Sequence, residues 1–332
     1  MTATAAAWRF PRPYGARAVL MALAAFLVLA VTGARVEMPR MVALTGEAAL
    51  AAVGLADGSQ VADGFATVGG QLFPLAVAER TEVSRIEGFD PARLPPFGRL
   101  ETVAFRRQVL DPATLRLTPV VERKTYLVEP FGYLLHVGAK LLETLEVALW
   151  GTLLAILLGL PLALLSARNL APHPAVPVAA RGLVSLLRAV PELISALLLV
   201  LAYGFGPIAG VLALALHAAG FLGKFYAEDI EAADPKPQEA LRAIGCNRLK
   251  LFGYAILPQV WPQYLAYTFY VLDRNVRMAT VIGLVGAGGI GQELKGRYDL
   301  YEYGHVATIL FAIFVLVFAL DHASARLRAR WL

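Results

Sequence analysis

Asp273, Arg274, Asn275 and Arg277 stand inside an otherwise apolar run from Gln259 to Val285. Counted from Pro262, Asp273 and Arg274 come after about eleven residues, or about 16 Å of helix. That depth is near the midplane of a hydrocarbon layer about 30 Å thick. A charge there costs at least ~2.5 kcal/mol, so such residues face a bundle interior or a water-filled path. Asp273 and Arg277 are four apart with the acid first, the better orientation for an intrahelical pair. Arg274 is then left without a local partner. Two chemistries fit: free arginine forks match the oxygens of a phosphoryl-type oxyanion, whereas an Arg274 paired with Glu192 or another acid is structural.

Arg188 and Glu192 form a second charged group, also four apart. The run from Pro191 to Tyr203 gives only about 20 Å of helix, so the span begins upstream near Arg181 and draws both charges towards the membrane, where they can pair. His217 reads as a packed, hydrogen-bonded core residue. An intramembrane enzyme site built from His217, Glu192 and Asp273 is the competing reading.

The run Gly286-Ala287-Gly288-Gly289-Ile290-Gly291 matches the spacing of a dinucleotide-binding loop. That loop works only between a strand and a helix of a βαβ unit, and nothing nearby supplies one. These glycines instead suit a turn where backbone packs closely and bends, as a gate requires. No G-x-x-x-x-G-K-[ST] run occurs, so the chain binds no ATP through a P-loop. No metal cluster or nucleophile constellation is apparent.

The stretch from Asp234 to Pro258 is polar and basic, with Lys236, Arg242, Arg248, Lys250 and, just upstream, Lys224. Asp234 is a good N-cap, and Pro235 and Pro237 fall in a first turn that needs no N–H donors. Gly245 ends this helix, and a second runs from Asn247 until Pro258 stops it. Leu241 and Ile244 mark an apolar edge on the first helix; Leu249, Phe252 and Ile256 mark one on the second. A solvated loop is the plain alternative, but two capped amphipathic helices joined at a glycine fit a docking surface.

The elements that must position these residues follow from composition. With 332 residues, 58% hydrophobic content and 17% charge, and a mean hydropathy of +0.61, an ordinary soluble domain is excluded. The net charge of +5 marks cytoplasmic loops rather than nucleic-acid binding. The single cysteine, Cys246, allows no intramolecular disulfide. Apolar segments run from Ala18 to Thr32, Leu141 to Leu165, Val178 to Tyr203, Pro207 to Tyr226, Gln259 to Val285, and Val306 to Leu320 or Ala325. The first, behind Arg9, Arg12 and Arg17, resembles a signal peptide or a retained span; retention gives six spans and both termini on one side. Arg168, Arg181, Arg188, the central loop and Arg326, Arg328 and Arg330 share a face with the N-terminal arginines, against Arg277, Lys295 and Arg297 opposite. The termini and the central loop are therefore expected in the cytoplasm. Between Val36 and Val137 no run is long enough to span. Leu100 to Val128 reads as a β-hairpin or small sheet with an Asp111-Pro112 turn.

The pattern Glu239-Ala240-Leu241, then Gly245, then Ala255-Ile256-Leu257-Pro258 resembles the EAA loop of membrane subunits of bacterial ABC importers. Leu241 replaces the usual second alanine and Ala255 the usual isoleucine. The segment from Arg188 to Leu193 resembles their R-x-x-P-E-L motif. NVRMATVIGLVGAGGIG and GPIAGVLALALHAAG resemble the membrane subunit of phosphonate importers, and more distantly those for methionine and quaternary amines, over about Leu141 to Leu332.

The reading of the apolar segments, joined to the resemblance, is an all-α polytopic protein of the cytoplasmic membrane, with a small, partly β, extracytoplasmic insertion between the first and second of six transmembrane helices. It divides the chain into a tail and first helix (1–36), the insertion (37–137) and a five-helix core (138–332) with the coupling loop 234–258. The insertion is longer than the family leads one to expect. The resemblance further implies a homodimer in lipid, two P-loop ATPase partners that carry the ATP and Mg, an extracytoplasmic binding protein, and no cofactor or catalysis on this chain. Coupling falls to Glu239, Ala240, Leu241, Gly245, Leu257 and Pro258, and alternating access moves phosphonate or a related oxyanion. The path is assigned to Arg188, Glu192, Asp273, Arg274, Asn275 and Arg277, and the gate to Gly286, Gly288, Gly289 and Gly291. Import of methionine or a quaternary amine is the alternative cargo. A sensor whose external insertion does the work is a third class.

Overall fold

The computed structural model describes residues 15–55, 58–91, 93–110 and 117–331. Arg9, Arg12, the Asp111-Pro112 turn and the side chains of Arg328 and Arg330 lie outside this description. The chain divides into two compact units, Met1–Gln71 and Leu72–Leu332.

The first unit is helical. α1 (Ala16–Arg35) exposes its apolar side chains, Leu20, Phe26 and Leu29 among them, and is long and apolar enough to cross a membrane. Glu37, in left-handed conformation, turns the chain into α2 (Met38–Ala52). α3 (Gln60–Leu72) starts where the Ser59 hydroxyl accepts the Ala62 N–H. The sequence reading placed no elements here. α2 is rich in alanine and other good helix formers, whereas α3 forms despite three glycines, and at 15 and 13 residues neither is long enough to span.

The second unit opens with the strands β1 (Glu79–Glu82), β2 (Arg99–Leu110) and β3 (Leu117–Glu129). They form an antiparallel sheet in the order β1-β3-β2, with Glu79 opposite Glu129 and Arg99 opposite Val128. The expected hairpin is therefore present. The sheet is tied to the helices through Ala76, whose N–H donates to the Gly304 carbonyl and whose carbonyl accepts from the Thr308 hydroxyl.

The helices of this unit are α4 (Gly132–Ser166), α5 (Ala175–Ala189), α6 (Glu192–Tyr203), α7 (Pro207–Ala232), α8 (Pro235–Ala243), α9 (Arg248–Leu251), α10 (Leu257–Gly283), α11 (Gly289–Asp299) and α12 (Tyr303–Trp331). α4 and α7 form the spine. Gly151, Ala155 and Gly159 make a stripe of small residues on α4, and a Cβ on Gly151 would stand 2.9 Å from that of Leu214. Such stripes let membrane helices approach closely without help from a hydrophobic driving force. Among the described residues, four helices are long and apolar enough to cross a membrane, α1, α4, α7 and α12, and a bent pair makes up to five. The prolines, glutamines, tyrosines and charges of α10 keep it out of that set.

Two local expectations fail. The expected continuous span around Pro191 is α5 and α6, broken by 87°. Proline offers no N–H and pushes the residue before it into extended backbone, and Val190 sits at φ −82°, ψ 119°. Pro258, for its part, does not end a helix. After α9 the chain makes a π-helical turn, Phe252–Ile256, and runs on into α10, so Pro258 lies in the first turn of α10 rather than at the end of a helix.

Candidate functional site

The polar loop is built from local chemistry. The Asp234 carboxylate accepts the Lys236 N–H at the start of α8, and the Asn247 amide oxygen accepts the Lys250 N–H at the start of α9. Between them Gly245 has φ 82°. Its N–H donates to Arg242 and the Cys246 N–H donates to Leu241, which is a Schellman closure needing a residue that tolerates the left-handed region. Asp234→Ala should cost about 0.5–2 kcal/mol of local helix stability, seen as faster amide exchange over α8 alone; unchanged exchange would mean that the cap is idle.

The loop base is fastened to the core. Gln238 is buried and donates to the Ala233 carbonyl, Asn169 donates to the Ile230 carbonyl, and Arg242 donates to the Asn169 carbonyl. The Asp234 N–H donates to Gln259 on α10. These partners carry no sequence signal of their own, since each bond crosses between elements. Glu239, Ala240, Gly245 and Pro258 are exposed, while Leu241 and Leu257 are half-buried. The two expected apolar edges are each divided: Leu241 packs against the core and Ile244 is 75% exposed, while Phe252 and Ile256 are buried and Leu249 is 73% exposed. The π turn between Phe252 and Ile256 widens the helical repeat, so Leu249 and Ile256 no longer share one face. Ile244 and Leu249 thus flank the Gly245 turn as an uncovered apolar pair.

The break at Pro191 rearranges the charges deeper in the bundle. Glu192 becomes the first residue of α6 and turns away from Arg188, so the expected pair between these two is not formed. Instead Arg274 donates to Glu192 in a close ion pair. Its same Nη2 also lies 2.9 Å from His217 Nε2. His217 Nδ1 is 3.0 Å from the Val190 carbonyl, an acceptor freed from the helix ladder by the break. Nδ1 must therefore carry the proton, leaving Nε2 as the acceptor for Arg274. Phe221 completes the cluster, with the Arg274 and Arg188 guanidiniums 4.6 Å and 5.1 Å from its ring centre, within cation–π range. Phe221 gave no signal in the sequence, and His217 was read there as a core residue or as part of an enzyme site rather than as a partner of Arg274. Of the two chemistries open to Arg274, the paired one is present.

Asp273 pairs with Arg277, and Arg277 also reaches Asp321 of α12 at 3.3 Å. Asp273 thus takes a different partner from the Glu192–His217 pair. Asn275 is buried and donates to the Thr152 hydroxyl at 2.9 Å, which binds α10 to α4. Among the described residues, no three His, Cys, Asp or Glu side chains converge as a metal site would need.

The glycine turn between α10 and α11 is held by α4. Glu143 accepts the Gly289 N–H at 2.9 Å and Thr144 the Ile290 N–H at 2.8 Å, satisfying donors at the N-terminus of α11 with a favourably placed carboxylate. Gly286, Gly288 and Gly289 have φ of 92°, 83° and 70°. Gly291 lies in the first turn of α11. Lys295 and Arg297, expected in a loop, lie on this helix. On it, burial pushes the Glu293 carboxyl up, but the Arg297 hydrogen bond and charge more than offset this and hold it below its usual value.

A family profile described as the binding-protein-dependent transport system inner membrane component matches residues 159–331. HtxE of Stutzerimonas stutzeri, which carries the name of a phosphite transport system permease protein, is 56% identical over 259 residues, 78% of this chain and 99% of HtxE. The phosphite transport system permease protein PtxC of the same organism is 46% identical over 188 residues, 57% of this chain and 68% of PtxC. An inward-facing structure of the MetNI methionine ABC transporter superposes with a TM-score of 0.52 at 21% identity, covering 59% of this chain and 96% of that one; at that identity the likeness concerns the fold. The matched span takes in the fastened loop, the broken helix and the glycine turn, and the chain belongs to the family of binding-protein-dependent transport system inner membrane components.

Proposed function

We propose that this chain is the permease subunit of an ATP-driven importer for phosphite, phosphonate or a closely related phosphorus oxyanion. The names of HtxE and PtxC support the cargo. The observation that carries the coupling role is the Gly245 turn, which offers Ile244 and Leu249 uncovered while its base is bonded to α7 and α10. A partner ATPase that pulls on Glu239, Ala240, Leu241 and Gly245 moves Leu257, Pro258 and the helices behind them. In this reading the chain crosses the membrane six times, through α1, α4, the bent α5–α6 pair, α7, α10 and α12. Both termini are cytoplasmic and 37–137 is extracytoplasmic. The working unit has a second copy of the chain, two ATPases holding ATP and Mg, and an extracytoplasmic binding protein.

The path comprises Arg188, Glu192, Asp273, Arg274, Asn275 and Arg277, and Gly286, Gly288, Gly289 and Gly291 shape the gate. Arg277 is offset by two carboxylates and Arg274 by one. Arg188 has no carboxylate partner among the described residues, so the positive potential centres on it.

The test is to tag the C-terminus, extract the protein gently from native membranes and identify what accompanies it by mass spectrometry. A P-loop ATPase is expected, and Gly245→Val or Glu239→Lys should release it. Recovery of the chain with no ATPase overturns the reading.

A further inference from the structure

We infer that the cavity between α4, α5 and α7 is a binding pocket for a tetrahedral phosphorus oxyanion. The pocket has a volume of about 230 Å³ and is lined by Ser166, Arg181, Ser185, Arg188, Lys224 and Glu228. That is below the ~300–1,000 Å³ of sites for drug-sized molecules, so its occupant is small or is one end of a larger molecule.

Two polar atoms in the lining are buried without a hydrogen-bond partner, the Ser166 hydroxyl oxygen and Arg188 Nε. Ser166 is 1% exposed. Native proteins rarely leave such groups orphaned, and each one calls for an explanation. The charges around them are unequal. Arg181 is matched by Glu231 at 2.7 Å and Lys224 by Glu228 at 3.5 Å, which leaves Arg188 as the surplus cation. Its side chain lies against Gly220, where a Cβ would stand 2.8 Å from Arg188 Cγ, and its guanidinium is over Phe221. The fork is thus held by packing while its N–H groups stay available. A second hydroxyl, Ser185, and the Lys224 ammonium complete a donor-rich wall.

An anion with several acceptor oxygens removes all three deficits together: it takes the Arg188 N–H, accepts from the Ser166 hydroxyl and neutralises the surplus charge. A cation would be repelled by Arg188, and an apolar occupant would leave both orphans in place. The choice of phosphorus among oxyanions rests on the importer reading; the pocket itself does not. On the proposed topology the pocket lies at the cytoplasmic ends of α4 and α7, where a free oxyanion and a lipid headgroup phosphodiester are both at hand.

The test is equilibrium binding of radiolabelled orthophosphate and of phosphite to the full chain, with any co-purifying subunits. It is run in nanodiscs of phosphatidylcholine alone and again with phosphatidylglycerol, and retained lipid is read by native mass spectrometry. Wild type should bind at one saturable site per chain, about tenfold more weakly in Arg188→Gln and about threefold more weakly in Ser166→Ala. Label that persists beside phosphatidylglycerol assigns the pocket to the free oxyanion. Phosphatidylglycerol that displaces the label, and is retained by wild type but not by Arg188→Gln, assigns it to the headgroup. Equal label binding and equal lipid retention by wild type and variants overturn the pocket, as does no binding of any of the three. Should Arg188→Gln not fold, Ser166→Ala and Lys224→Gln decide by the same readings. Binding is measured without nucleotide, so loss of the pocket leaves the ATPase co-purification untouched, and absence of an ATPase leaves this result standing.

Discussion

Arg274→Met should lower the stability of the extracted protein by about 3–5 kcal/mol, the cost of leaving a buried carboxylate without its counter-charge. The Glu192 side chain is only 11% exposed and that of Arg274 25%, so water cannot readily replace the lost partner. Neutral His217, with its Nδ1 proton committed to Val190, offers Glu192 only a lone pair at Nε2 and takes over only by gaining a second proton there, so the loss should be fullest at a pH where the imidazole stays neutral. The double variant Arg274→Met with Glu192→Met should recover most of the loss, since well-packed apolar residues often replace a buried ion pair at little cost. The comparison also separates two roles. If the double variant is stable and still supports the proposed import, Arg274 is a structural tie between α10 and α6. If it is stable and transport is lost, the guanidinium serves the path. Thermal unfolding of the single variant within about 0.5 kcal/mol of wild type would mean that the pair bears little load.

Gly291→Ala should damage folding of the α10–α11 corner, at about 1–3 kcal/mol or more. A Cβ there would stand 2.0 Å from the Thr280 carbonyl oxygen and 2.9 Å from Gly283 Cα. Both obstacles are backbone, in a helix already packed on α4, so neither can move aside as the tip of a flexible side chain could. Gly296 supplies the control. It lies in the same helix with nothing within 4 Å of its added Cβ, and Gly296→Ala should gain about 0.5–1 kcal/mol through the better helix propensity of alanine. Monodisperse yield and thermal midpoint, measured side by side, check the pair. Equal behaviour of the two variants would show that the corner is looser than its spacing implies.

The features legible in the sequence are those whose partners lie within a few residues. Asp234, Gly245 and Asn247 prescribe two capped helices and the turn between them, because every bond involved closes within five residues. The β2–β3 hairpin follows from two β-branched stretches close together in the chain, and Asp273 with Arg277 from one turn of helix. Composition likewise announced a membrane protein, and the long apolar runs marked α1, α4, α7 and α12. Other features depend on where whole helices come to rest. Pro191 was visible and an Arg274–Glu192 pair was one of two readings left open, but the sequence could not choose it, because the break that parts Glu192 from Arg188 and brings it to Arg274, 82 residues away, is completed only by packing. Nor did Asp321 show itself as a partner for Arg277, 44 residues away. The small helices α2 and α3 lack the length or apolar face that makes a span recognisable.

By itself, then, the sequence determined the local grammar of this protein: caps, turns, strand pairing next to a turn, and apolar lengths, all set by backbone chemistry over one or two helical turns. The tertiary structure alone decided which charges on different helices neutralise one another, which glycines admit a neighbouring backbone, and that Arg188 is left beside a pocket with two unsatisfied polar atoms. Those outcomes depend on packing between helices far apart in the chain, and a charge has no partner until packing brings one within reach.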